Sequence, residues 1–262
     1  MRSLFLLLIL TTLIASCDDD KLDKKGFQVR EIIETEEGEK IVGLKIDSLK
    51  LETRPRNVLF THSPTHRITP IYKVNYKNDG KEAFTGSNDF IRSWGHEFGE
   101  GINNWHNNYM PGFEVVRGYN FVNVSHYNNE VNKENKLFKK PVLIKHFYYP
   151  TPDKDTLNSI PVHRDYYMAS VYDEDTNKDG YVTVKDLRRL YYFDMEGVNQ
   201  RALVPTNYSV MSSEYDAMND YMYIFARKDA NGNGQMDISE PFDVFWIDLN
   251  EPARVGVQYR SE

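Results

Sequence analysis

A single cysteine, Cys17, stands among the 262 residues, so no intrachain disulfide can form. The fold must be held by core packing, hydrogen bonds and any bound metal. Positive charge is also short. Thirty-two Lys and Arg face 39 Asp and Glu, giving a formal net charge of −7. Such a chain repels phosphate backbones, which excludes nucleic acid as an expected partner. The marks of common enzyme classes are missing as well: there is no GxSxG elbow, no P-loop and no dinucleotide fingerprint. "HEFGE" at 96–100 lacks a second histidine four positions after His96, so a zinc-protease helix is excluded. No apolar period of 3.6 residues is sustained long enough for a substantial helix.

What is present begins at the N-terminus. Residues 1–16 have the form of an export signal: Arg2 supplies the positive start, "LFLLLILTTLI" the apolar region, and Ala15 and Ser16 the small residues before a cleavage point. "IASC", ending at Cys17, resembles the lipobox of bacterial lipoproteins. That resemblance implies acylation of Cys17 and anchoring to a lipid bilayer at the cell envelope. The acidic run "CDDDKLDKKG" behind it is similar to that of surface-displayed lipoproteins of the Bacteroidota, which implies the outer membrane and its outer face, whereas in lipoproteins of other bacteria an aspartate directly after the cysteine implies retention at the inner membrane. Residues 17–40 are expected to be a charged tether, and residues 41–262 the folded domain.

The domain reads as mainly β. Short runs rich in Tyr, Phe, Val, Ile and Thr, such as "PVLIKHFYY" and "YMYIFAR", are broken by Asn, Asp, Gly and Pro, and aromatics make up 13% of the chain. It also contains a repeat. Shifted by 54 positions, residues 167–195 fall on 221–249 without a gap, strand over strand and polar loop over polar loop. Looser copies lie at 119–149 and 57–76. Repeated β-meander units of this size are similar to the blades of a β-propeller, which implies successive sheets packed face to face. A β-sandwich is the alternative.

The loop in each repeat carries chemistry. "DTNKDGYVTVKD" (175–186) and "DANGNGQMDISE" (229–240) place oxygen donors at alternate positions, glycine at the sixth and an acid at the twelfth. Alternate residues of a tight turn converge on one point, and a hard cation takes six to eight oxygens there. Glycine permits the bend because it tolerates positive φ. Both loops resemble EF-hand and dockerin loops. The resemblance implies two calcium sites, one built from Asp175, Asn177, Asp179, the Tyr181 carbonyl, Thr183 and Asp186. The other comprises Asp229, Asn231, Asn233, the Gln235 carbonyl, Asp237 and Glu240. Val182 and Met236, at the eighth position, are expected to pin the loops to the core, and "VKDLRRL" to make a short helical turn after the first. Because the flanking segments read as strands, the metal is expected to brace the fold rather than to switch it.

One further stretch, residues 88–113, crowds Trp94, Trp105 and Tyr109 among Gly and Asn. Aromatic platforms beside amides suit glycans. Two function classes therefore stand: a non-enzymatic calcium-binding envelope lipoprotein that binds or scaffolds a glycan or protein ligand, and a surface carbohydrate-active protein using the 88–113 aromatics. His62 and His66 in "THSPTHR" are read as turn or surface residues, since Pro64 removes any helical face that would align them.

Overall fold

The computed structural model describes residues 26–35, 38–47, 49–76, 83–85, 88–91, 110–118 and 120–261. The mainly β expectation holds, and no helix is present among the described residues. Three antiparallel sheets carry the domain. The first runs in the order Lys133–Lys136, Phe121–Asn128, His66–Tyr76, Thr53–Pro55, with Leu59–Phe60 and Ala83–Thr85 also pairing to the long strand. The middle sheet runs Arg201–Ala202, Arg189–Asp194, Tyr166–Tyr172, Leu143–Pro150, Phe113–Gly118, Asn88–Ile91. The third is a four-stranded meander, Tyr208–Asp216, Tyr221–Lys228, Phe242–Asp248, Val255–Tyr259.

Alternation along the strands shows how the sheets stack. All seven residues of Tyr166–Tyr172 are buried, whereas Tyr221–Lys228 buries every second residue. A strand buried throughout is covered on both faces. Tyr167, Ala169 and Val171 pack with Ile68, Tyr72 and Phe121 of the first sheet. Tyr166 and Met168 pack with Met222, Ile224 and Ile247 of the third. The middle sheet is thus sandwiched, and face-to-face stacking of meanders is present. The strand counts of these sheets, six, six and four, differ from the equal blades that a propeller implies. The loose copy at 119–149 is not one unit, because Phe121–Asn128 belongs to the first sheet and Leu143–Pro150 to the middle one.

The strong repeat is a hairpin in each of two sheets, with a difference that the alignment hides. Tyr167 pairs with Phe193, so the 54-residue shift would pair Tyr221 with Ile247; instead Tyr221 pairs with Asp248 and Met222 with Ile247. A one-residue slip turns a strand over. Accordingly Phe193 faces the first sheet, while its counterpart Ile247 faces the middle sheet.

Two expectations are corrected. The tether does not reach residue 40: Phe27 is 4% exposed, Phe27–Gln28 pairs with another part of the domain, and Arg30–Glu34 forms a hairpin with Lys40–Lys45. Burial of Phe27 and partial burial of Val29 and Ile32 outweigh the charges around them once a sheet edge is available. The helical turn expected over "VKDLRRL" is instead a tight turn at 184–185 running into strand Arg189–Asp194, where Leu187 and Leu190 are 3% and 0% exposed.

Candidate metal loops

Each loop joins two adjacent strands of a sheet: 175–186 links Tyr166–Tyr172 to Arg189–Asp194, and 229–240 links Tyr221–Lys228 to Phe242–Asp248. Inside them the same hydrogen bonds recur at the same positions. The first residue accepts from the glycine N–H: Gly180 N to Asp175 Oδ2, 3.2 Å, and Gly234 N to Asp229 Oδ2, 3.1 Å. The third accepts from the fifth, Asn177 Oδ1 from Asp179 N at 3.0 Å and Asn231 Oδ1 from Asn233 N at 2.8 Å. The fifth accepts from the seventh, Asp179 from Tyr181 N and Asn233 from Gln235 N. The twelfth accepts from the second and the ninth, Asp186 from Thr176 N and Thr183 N, Glu240 from Ala230 N and Asp237 N. Positive φ recurs too, at the fourth residue (Lys178 60°, Gly232 72°) and the sixth (Gly180 93°, Gly234 72°).

This framework spends one oxygen of the first carboxylate and leaves the other. The Asp175 side chain is 3% exposed, and its Oδ2 also meets the Arg30 guanidinium, Nε to Oδ2 2.8 Å. Asp175 Oδ1 is buried without a hydrogen-bond partner, and so is Asp229 Oδ1. Buried acceptors are costly to leave unmet, each about 1–3 kcal/mol. The closing acids are buried as well, Asp186 at 2% and Glu240 at 7% exposed. Burial pushes Asp186 up to about 6, against the opposing pull of the N–H groups of Thr183, Asn177 and Thr176, and nearby Asp179 adds to the rise.

The residues able to offer oxygen to a cation are therefore ordered into two matching loops. Among the described residues, however, no group of three or more His, Cys, Asp and Glu side chains is gathered closely enough to hold a metal ion. Like charges keep apart when nothing offsets them, and here each carboxylate is drawn to backbone N–H groups instead. Half of the six donors named in each loop are neutral: amide, carbonyl or hydroxyl oxygens in the first, amides and a carbonyl in the second.

The loops differ in what covers them. Tyr181 and Val182 of the first pair with Gln28 and Phe27, and Val182 is 2% exposed, as expected of a pin. Met236, its counterpart, is 48% exposed, so the expected pin is missing from the second loop. The loops also touch each other. Asp186 forms an antiparallel bridge with Gln235, and Thr176 Oγ1 donates to the Gly234 carbonyl at 2.6 Å. Sequence reasoning did not find these partners, because neither the 27–30 segment nor Thr176 carries any metal-ligand signature.

Trp94, Trp105 and Tyr109 lie outside the described residues, as do Cys17 and the export segment. The flanks of the aromatic stretch are structural: Asn88–Ile91 pairs with Phe113–Gly118, and Met110 and Phe113 are core. His62 sits in a turn, 26% exposed at its side chain and 3.0 Å from Asp165, as read from the sequence. His66 is buried rather than at the surface, its ring centroid 5.1 Å from that of His126. No protein-family model matches this chain, and no curated protein matches it.

Proposed function

We propose that this protein is an envelope-anchored calcium-binding lipoprotein, a non-enzymatic binding or scaffold domain in which loops 175–186 and 229–240 each hold a structural Ca²⁺. The observation that carries this reading is the orphan oxygen at the same position of both loops, Asp175 Oδ1 and Asp229 Oδ1, inside matching hydrogen-bond frameworks. An ordinary Asx turn satisfies its acceptors; these two leave one buried oxygen each for a partner other than the protein. Calcium would supply the missing positive charge and relieve the burial of Asp186 and Glu240. At a calcium concentration about tenfold above the dissociation constant, each site would add about 1.4 kcal/mol to a domain without disulfides. Acylation of Cys17 would hold the domain at the bilayer surface, consistent with the lipobox and the acidic run that follows it.

Calorimetric titration of the chain from residue 17, with Cys17→Ser, tests the reading. Two calcium sites are expected. The absence of binding heat, together with a melting temperature unmoved by chelator, would defeat it.

A further inference from the structure

The first loop is also the place where the N-terminal segment is fastened. Phe27 pairs with Val182 and Gln28 with Tyr181, the eighth and seventh residues of that loop. The Gly180 carbonyl, at the sixth, accepts from Val29 N at 2.8 Å and Arg30 N at 3.2 Å. Arg30 then reaches Asp175, the first residue, with Nε 2.8 Å from Oδ2. Strand 27–28 is short; apart from the loop it is held by Phe27 packing with Ile71, Val122, Leu143 and Tyr172. Gly26 N also donates to Asn120 Oδ1 at 3.0 Å, Lys73 Nζ to the Gly26 carbonyl at 2.8 Å and Ile46 N to the Val29 carbonyl at 2.8 Å. Among the described residues no strand of two or more residues pairs with the second loop, where Gln235 bridges to Asp186 and Met236 is exposed.

We infer that calcium in the first loop controls the docking of residues 27–30, so that the metal fixes the segment joining the membrane anchor to the domain. This rests on the calcium reading above. The edge offered by Gly180, Tyr181 and Val182 exists only while loop 175–186 keeps its curvature, and that curvature is held by backbone hydrogen bonds to three carboxylates of one twelve-residue loop, Asp175, Asp179 and Asp186. A cation at the loop centre removes the repulsion that opposes it. Arg30 contributes part of the same neutralisation from outside, which leaves Asp175 Oδ1 for the ion. By linkage the effect is reciprocal: a docked segment raises the calcium affinity of the first loop by the factor by which calcium favours docking. When docked, eight residues, 18–25, separate Cys17 from Gly26; release would add residues 26–30 to that lead.

Amide hydrogen exchange over residues 27–34 tests this, read with calcium and with chelator alongside the calorimetric titration. The chain from residue 17 with Cys17→Ser contains every described residue and serves as the parent. Calcium is expected to slow exchange at 27–34 by at least about fivefold. The protection should persist in Glu240→Gln, which weakens only the second loop, and vanish in Asp186→Asn. Phe27→Ala combined with Arg30→Gln keeps the loop acids intact and should weaken one of the two calcium sites by a similar factor, leaving the other unchanged. Two bound calcium ions with exchange at 27–34 unaltered would overturn the inference while leaving the calcium reading in place. Protection lost in Glu240→Gln, or two unaltered affinities in the Phe27/Arg30 variant, would overturn it equally. No binding heat in the parent would bring down both.

Discussion

At the scale of single residues, the two loop glycines of 229–240 are a controlled comparison. Gly232 and Gly234 share a φ of 72°, but a Cβ on Gly232 would meet nothing within 4 Å, whereas one on Gly234 would lie 1.9 Å from the Thr176 carbonyl oxygen. Gly232→Ala should cost only the left-handed backbone penalty, roughly 1–2 kcal/mol. Gly234→Ala should cost that and also force the two loops apart, so its urea midpoint should fall clearly further. Equal midpoints would mean that the loop contact carries no energy. A second residue-scale expectation concerns pH. Burial, then His126, lowers the pKa of the His66 ring from its ordinary value near 6.5, with Arg67 acting in the same sense and Glu196 and Glu130 against it. The folded chain therefore binds this proton more weakly than the unfolded chain does. The stability that depends on a neutral ring is complete above about pH 6.5 and is lost as pH falls below it. Between pH 7 and 5.5 the parent's urea midpoint should fall relative to that of His66→Gln, since Asp186 shifts both chains alike and only the parent carries this ring.

At the scale of elements, the repeated unit is a strand, a loop and a strand, and the loops carry the calcium expectation. Chelator should lower the melting temperature of the parent chain. In Glu240→Gln the calcium-induced rise should shrink by about half, since one of two comparable increments of about 1.4 kcal/mol is gone. A rise that is unchanged would place the stabilising ion outside loop 229–240. Asp186 and Glu240 play one role here by different means. Each accepts N–H bonds from the second and ninth loop residues, and the shorter aspartate does so in the loop that the N-terminal strand covers. These elements were legible in the sequence because their causes are local: alternating oxygens, a glycine that must take positive φ, and period-2 burial. The register was not. The 54-residue repeat is gapless, yet Ile247 faces opposite to Phe193, since register answers to the sheet packed against each hairpin.

At the scale of the whole molecule, the middle sheet shares one core with the first and another with the third, and buried polar ties hold the stack in addition to apolar packing. Arg164 is 1% exposed, a burial that no local pattern announces. It donates to the Pro111 carbonyl at 3.0 Å, the Leu249 carbonyl at 2.8 Å and Asp220 Oδ1 at 2.7 Å, joining the middle sheet to the turns of the third. Arg164→Ala would strand the Asp220 carboxylate and should cost about 3–5 kcal/mol. Arg164→Ala with Asp220→Asn should recover part of that loss, because the uncompensated charge is gone. Thermal denaturation of the three variants against the parent measures both effects. A double variant no better than the single one would show that the carbonyl contacts, not the charge, set the cost.

The sequence by itself determined that the chain is β-rich, that it repeats, and that two loops concentrate oxygen donors around a glycine bend. All three follow from interactions within about a dozen residues, which any strand or turn expresses wherever it is placed. Only the tertiary structure decided that Phe27 and Arg30 leave the charged leader to cover one loop, that Thr176 meets Gly234, and that the three larger sheets stack with the middle one enclosed. Those outcomes depend on which surfaces remain unfilled once the sheets have stacked. Burial of apolar area rewards whatever segment can reach such a surface, and its reward carries no fixed spacing along the chain.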